Sequence, residues 1–262
     1  MKNTVSDYTL FSRVEGEGEP IILIHGFPLT HEMWQPQIKL LASSGYKVIA
    51  PDLRGFGDSL VEISEWTLDD FANDIIKLAD NLNVQKFTVA GMSMGGYITF
   101  NLLERFSDRI SKVILVATKA QADDEQAKNR RNELIQMAKT SGKTPVIEAF
   151  KKILFAPITW ERNIDLVSRV SVIMERASLN GIIGSLGAMR DRKDYVNLLE
   201  KIEVPVLVIH GKSDLASPLS NAELMVSKIK NVRNYFSDLA GHIVNLEDTE
   251  NVNKAILEFL KS

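Results

Sequence analysis

Gly91-Met92-Ser93-Met94-Gly95 restricts what this chain can fold into more than any other stretch, because of what flanks it. Before it, Lys86-Phe87-Thr88-Val89-Ala90 is a short β-branched and apolar run of the kind that forms a buried parallel strand. After it, Gly96 to Phe106 has the apolar spacing of a helix. A Gly-x-Ser-x-Gly between strand and helix is a nucleophile elbow, a turn too tight for a Cβ at Gly91 or Gly95. Such a turn lifts the Ser93 hydroxyl out of the sheet, beside a helix N-terminus whose free N–H groups favour developing negative charge. Three fixed residues alone would say little, and the strand-then-helix context gives the pentapeptide its meaning.

Other runs supply the rest of a sheet. Ile21 to His25, Val48 to Pro51, Val113 to Ala117 and Val206 to His210 are near-continuously apolar, as strands covered on both faces are. Amphipathic segments lie between them. From Thr67 to Leu82, Thr67 caps, Asp69 and Asp70 occupy the positive first turn, and Leu68, Phe71, Ile75, Leu78 and Leu82 form the buried stripe. Strand alternating with helix predicts an α/β fold with a mostly parallel central sheet flanked by helices, whose sites assemble at the carboxyl ends of the strands. At the N-terminus only Tyr8 to Val14 has strand character, leaving room for one or two antiparallel edge strands.

The alternation stops between about Lys119 and Lys201, where the pattern is helical. We read residues 119–200 as a helical cap inserted after the sixth strand, over a core of residues 1–118 and 201–262. Glycines 181, 184 and 187 recur every three residues without a preceding strand, which fits a close-packed helix face better than a phosphate loop.

Composition narrows the function. A chain of 262 residues has ample material for one large core. A net charge of −3 gives no footprint for nucleic acid or an anionic membrane. Without cysteine there is no thiolate nucleophile and no Cys-ligated zinc, and no cofactor or metal is called for. Met1 to Tyr8 lacks the apolar segment of a secretory signal, and no run is long enough to span a bilayer, so a cytoplasmic protein is the expectation.

A serine hydroxyl needs a base, and there are four histidines. His25 closes a strand ahead of Gly26-Phe27-Pro28. His31 starts an amphipathic helix and reads as a surface or first-turn residue. His210 ends a buried strand and reads as packed and hydrogen-bonded. His242 sits in a late loop, between the strand-like Tyr235-Phe236 and a final helix over 249–260, and is the expected base. Asp214, just beyond the strand ending at His210, satisfies the order serine, acid, histidine and is the expected partner of His242. Asp238 is its rival, only four residues before His242, while Ala117-Thr118-Lys119 offers no acid. The oxyanion donors are expected to be the backbone N–H groups of Met94, after the nucleophile, and Phe27, in the loop after the Ile21 to His25 strand.

Nearly the whole chain resembles the α/β-hydrolase superfamily. The resemblance is carried by His25-Gly26-Phe27-Pro28, the stretch from Ala50 to Ser59, Gly91 to Gly96, the stretch from Pro205 to Asp214, and Gly241-His242 with Leu246-Glu247. It is similar above all to small carboxylesterases and 3-oxoadipate enol-lactonase-like proteins, through Ala188 to Asp194. The resemblance implies hydrolysis through an acyl-enzyme and a structural role for Asp52-Leu53-Arg54-Gly55. A serine at position 93 separates the chain from haloalkane dehalogenases and epoxide hydrolases, whose nucleophile there is aspartate. The N-terminal sheet edge departs from the family pattern by being short.

The expected activity is cleavage of small to medium carboxylic esters by Ser93, His242 and Asp214. Enol-lactone hydrolysis and cleavage of a C–C bond beside a carbonyl would use the same machinery, and a ligand-binding or signalling role is the non-catalytic alternative. The expected partner is a small-molecule ester or lactone, with no nucleic acid and no membrane. An enol-lactone with a free carboxylate would want an inward-facing cap arginine, for which Arg130, Arg131, Arg162, Arg169, Arg176, Arg190 and Arg192 are available. Phe150, Ile153, Leu154, Phe155, Met174 and Met189 make either a hydrophobic acyl pocket or the cap's own core.

Overall fold

The computed structural model describes residues 2–4, 9–59, 61–62 and 65–262. Eight strands form the sheet: β1 (Lys2–Thr4), β2 (Thr9–Glu15), β3 (Glu19–Ile24), β4 (Tyr46–Pro51), β5 (Phe87–Met92), β6 (Ile110–Val116), β7 (Val206–Gly211) and β8 (Val232–Ser237). Their order is β1-β2-β4-β3-β5-β6-β7-β8. The pairs from β4 through β8 are parallel, and the two joining β1 to β2 and β2 to β4 are antiparallel. Both edge strands that the N-terminus has room for are formed, although Tyr8 lies outside the described residues.

Around the sheet lie α1 (Gln35–Ser43), α2 (Leu68–Asn81) and α3 (Met94–Arg105). Between β6 and β7 come α4 (Glu125–Ser141), α5 (Thr144–Leu154), α6 (Pro157–Arg162), α7 (Ile164–Glu175), α8 (Leu179–Arg190) and α9 (Val196–Leu199). The chain closes with α10 (Leu219–Lys228), α11 (Val244–Glu247) and α12 (Thr249–Leu260). α1 packs against α12 and α2 against α3, two helix pairs beside the sheet. All six residues of β5 and of β7 are buried, which is why those runs lack the alternation of a half-exposed strand. In α2, Leu68, Phe71, Ile75 and Leu78 are buried and Leu82, just past the helix, is half-buried. No described helix is long and apolar enough to cross a membrane.

The parallel registers bring several chain turns to one edge. Ile24 is level with Gly91, Met92 with Val116, and Val116 with Ile209. The residues that follow β3, β5, β6 and β7 therefore emerge side by side, where the order reverses on either side of β3. The helices between β6 and β7 are fastened to this edge by backbone bonds. Gly57 N–H donates to Arg176 O, Ser178 N–H to Gly55 O, and His242 N–H to Leu154 O.

Candidate active site

β5 runs on through Met92 and α3 starts at Met94, so strand and helix close in on Ser93 until it is the only residue between them. Its φ of 52° and ψ of −111° lie in a region that side chains other than glycine rarely adopt. The flanking glycines make the turn sterically feasible. A Cβ on Gly91 would sit 2.3 Å from Gly95 O and 2.4 Å from Thr99 Oγ1, and one on Gly95 would sit 2.3 Å from Ile24 O. The strained backbone is held by Ser93 N–H donating to Val116 O on the neighbouring strand.

Three side chains meet at this turn. Ser93 Oγ lies 2.9 Å from His242 Nε2, and His242 Nδ1 lies 2.7 Å from Asp214 Oδ2. The arrangement fits one tautomer, with Nδ1–H donating to the carboxylate and Nε2 accepting from the serine hydroxyl. Asp214 Oδ1 accepts from Ala216 N–H and Ser217 N–H, both at 2.8 Å, which fixes the carboxylate that faces the ring. Asp238 stays at the surface, 2.5 Å from Lys212 Nζ, and takes no part.

The loop bearing His242 is tied down by Glu247. Glu247 Oε2 accepts from Gly241 N–H at 2.7 Å, while Oε1 accepts from Ala156 N–H and Thr159 Oγ1 at 2.8 and 2.5 Å. One carboxylate thus joins the histidine loop to the segment between α5 and α6. Its burial raises its pKa, against the opposing pull of those three donors.

The loop after β3 closes on the same serine. A Cβ on Gly26 would lie 2.4 Å from Met92 Sδ and 3.3 Å from Ser93 Cβ, so a side chain here would have to push the Met92 thioether aside. Phe27 follows and lines the cavity above Ser93, and Met94 opens α3. The other histidines have structural partners. His25 donates from Nδ1 to Gly26 O and accepts Leu53 N–H at Nε2, both at 2.9 Å. Burial pushes its pKa down to about 4. His210 is buried against Ser217 O. His31 does stand in a first turn, yet it is 5% exposed, not a surface residue. Its ring pairs at 2.7 Å with the buried Asp52, which also accepts from His31 N–H and Asp58 N–H.

A cavity of about 190 Å³ lies over Ser93 and His242, with Phe150, Ile153 and Met189 on its wall. Leu154, Phe155 and Met174 are instead buried packing. Of the arginines named above, only Arg130 and Arg131 line the cavity. Arg176 pairs with Glu32 and Asp58, Arg190 with Asp191, and Arg162 and Arg169 are exposed. Arg192 is buried behind the wall, over the Tyr97 ring at 4.1 Å.

Sequence reasoning overlooked Asp123, which lies in the cavity wall and binds Arg131 at 2.5 Å, Arg192 at 2.8 Å and Lys119 at 3.4 Å. Burial alone would raise its pKa, but Arg131 and Arg192 outweigh it and hold the group down at about 2. The available signal is an acid four residues beyond Lys119, just past the Ala117-Thr118-Lys119 strand end.

Comparison with known proteins agrees with this fold. Residues 19–145 match the α/β hydrolase fold family. The chain is 30% identical to 3-oxoadipate enol-lactonase 2 of Acinetobacter baylyi, over 87% of its own length and 84% of that enzyme. It is 27% identical to a non-heme haloperoxidase of Rhodococcus erythropolis, over 99% of this chain and 98% of that one. A thermophilic esterase from Thermogutta terrifontis superposes with a TM-score of 0.93 at 31% identity, covering 97% of this chain and 93% of the esterase. The chain belongs to the α/β-hydrolase family, an enzyme family of hydrolases.

Proposed function

We propose that the protein is a serine hydrolase of carboxylic esters, with Ser93 as nucleophile, His242 as general base and acid, and Asp214 as the carboxylate that orients His242. The observation that carries this reading is the unbroken chain from Ser93 Oγ through both nitrogens of His242 to Asp214, at 2.9 and 2.7 Å. Relatives described as an esterase and an enol-lactonase support it.

Ser93 attacks the acyl carbonyl as its proton passes to His242 Nε2, and Asp214 stabilises the imidazolium. The backbone N–H groups of Phe27 and Met94 hold the tetrahedral oxyanion. The imidazolium then returns the proton to the departing alkoxide, leaving an acyl-serine. His242 takes a proton from water, hydroxide adds to the acyl carbon, and collapse releases the acid and restores the Ser93 hydroxyl. Residues 119–200 act as the cap that roofs the acyl pocket, with Phe150, Ile153 and Met189 as its apolar lining.

The test is Ser93→Ala assayed on p-nitrophenyl esters of increasing acyl length. Turnover should fall roughly 10⁴- to 10⁶-fold, because members of such a triad act as a unit. Ester cleavage retained by that variant, or absent from the wild type on every member, would refute the assignment.

A further inference from the structure

A second cavity, of about 720 Å³, shares no residue with the one over Ser93. It opens between α7 and the segment that runs from His31 into α1, and the two pack on each other. At its border stands His31, a histidine that takes no part in the triad and is 5% exposed. Asp52 accepts from the His31 backbone N–H at 2.9 Å and pairs with Nδ1 at 2.7 Å. Burial alone would raise the Asp52 pKa, but its bonds to His31 outweigh burial and keep it below the usual carboxylate value. An ionised carboxylate only accepts, so Nδ1 carries the proton. Nε2 has no hydrogen-bond partner among the described residues. A ring nitrogen in so buried a side chain ordinarily has one, and the cavity is the side from which it would come.

Two further features surround that nitrogen. Lys39 on α1 and Arg169 on α7 border the cavity, both exposed and without a hydrogen-bond or ion-pair partner among the described residues. Arg13 is held by Glu15, and Glu32, the one acid on the described wall, is held by Arg176. Two cations are therefore free there, against no free anion. Along the other side, Leu166, Val170 and Ile173 stand at i, i+4 and i+7 on one face of α7. At the rise of a helix that apolar face is about 10 Å long.

We propose that this cavity is a second binding site, for a medium-chain hydroxy acid. The carboxylate binds Lys39 and Arg169, the hydroxyl bonds to His31 Nε2, and the alkyl chain lies along Leu166, Val170 and Ile173. A guanidinium and an ammonium together favour a carboxylate through charge-assisted hydrogen bonds. A hydroxyl suits Nε2 because it donates to a bare ring nitrogen, which a carboxylate cannot do. A chain of about eight to ten carbons matches the length of the apolar face. The volume of about 720 Å³ lies within the range usual for small-molecule sites. None of these residues belongs to the triad or to its cavity, so the site does not depend on the hydrolase reading.

The experiment titrates the full chain with 3-hydroxydecanoate, followed by calorimetry and by NMR of methyl groups and histidine ring nitrogens. Binding should saturate at one equivalent. The methyl signals of Leu166, Val170 and Ile173 and the nitrogen signal of His31 Nε2 should move, while those of Ile153 and Met189 beside Ser93 stay in place. Decanoate, which lacks the hydroxyl, should bind roughly two- to tenfold more weakly and leave the His31 signal unmoved. The uncharged analogue 1,3-decanediol should bind roughly ten- to hundredfold more weakly, the size expected for lost charge-assisted contacts. Lys39→Gln combined with Arg169→Gln, both at exposed positions, should weaken the hydroxy acid by a similar factor and leave the diol unchanged. Absence of saturable binding, shifts confined to Ile153 and Met189, equal affinity for the hydroxy acid and the diol, or a hydroxyl without effect would each overturn the proposal.

Discussion

His25, His31, His210 and His242 are chemically one residue type placed in four settings. Three have ring nitrogens engaged with buried backbone or carboxylate groups, and only His242 also reaches the Ser93 hydroxyl. The consequence is clearest at His25, whose folded pKa of about 4 lies below its ordinary 6.5. As pH falls through 6.5 the unfolded chain takes up a proton that the folded chain refuses until about 4. Stability contributed here is therefore full above 6.5, declines as pH drops, and reaches its floor near 4, a loss on the order of 3 kcal/mol. An imidazole signal from His25 that stays neutral at pH 5.5 is the expected NMR result, and titration near 6.5 would contradict it. Which histidine sits beside the serine was readable in the sequence, because chain order and strand ends limit the choices. The burial of His31 was not, since its partner Asp52 is 21 positions away and nothing local announces the pair.

At the level of elements, α8 puts the spacing of three glycines to the test. Gly181 packs backbone to backbone on the loop after β4, where an added Cβ would meet Gly55 O at 2.1 Å. Gly187 faces open space, with nothing within 4 Å of such a Cβ. The shared spacing thus has a packing cause at the first position and none at the third. Gly181→Ala should lower the melting temperature by several degrees by prying α8 from the loop. Gly187→Ala should raise stability by roughly 0.5–1 kcal/mol through helix propensity alone. Thermal melts of both variants decide it, and equal effects of the same sign would show that the two sites are not different. The limits of α2 and α12 were legible because their apolar stripes and flanking residues agree. At the start of α3, Ser93 occupies the cap position but makes no side-chain cap bond, because its hydroxyl is turned to His242.

Across the whole molecule, the sheet and the helices between β6 and β7 share one connected apolar core, from Ile24 and Val89 through Val146, Leu154 and Ile182. Trp34 lies in the core of the sheet layer and Trp160 on α6, so tryptophan emission samples both parts. Guanidinium unfolding should give coincident curves by emission and far-ultraviolet circular dichroism, and a separate early step in emission would mean the helical segment opens on its own. The sequence by itself determined the alternating architecture, the elbow and the order of serine, acid and histidine. Each of these is written in local patterns: apolar runs, glycines beside a serine, and residues that follow strand ends. Only the tertiary structure decided which charges face the cavity. Lys119, Asp123 and Arg131 are ordinary polar residues in the listing, and their grouping above Ser93 depends on how α4 lies against α8 and over the sheet edge. Periodicity tells which side of a helix is buried, but not what that side meets, because the partner surface comes from chain far away.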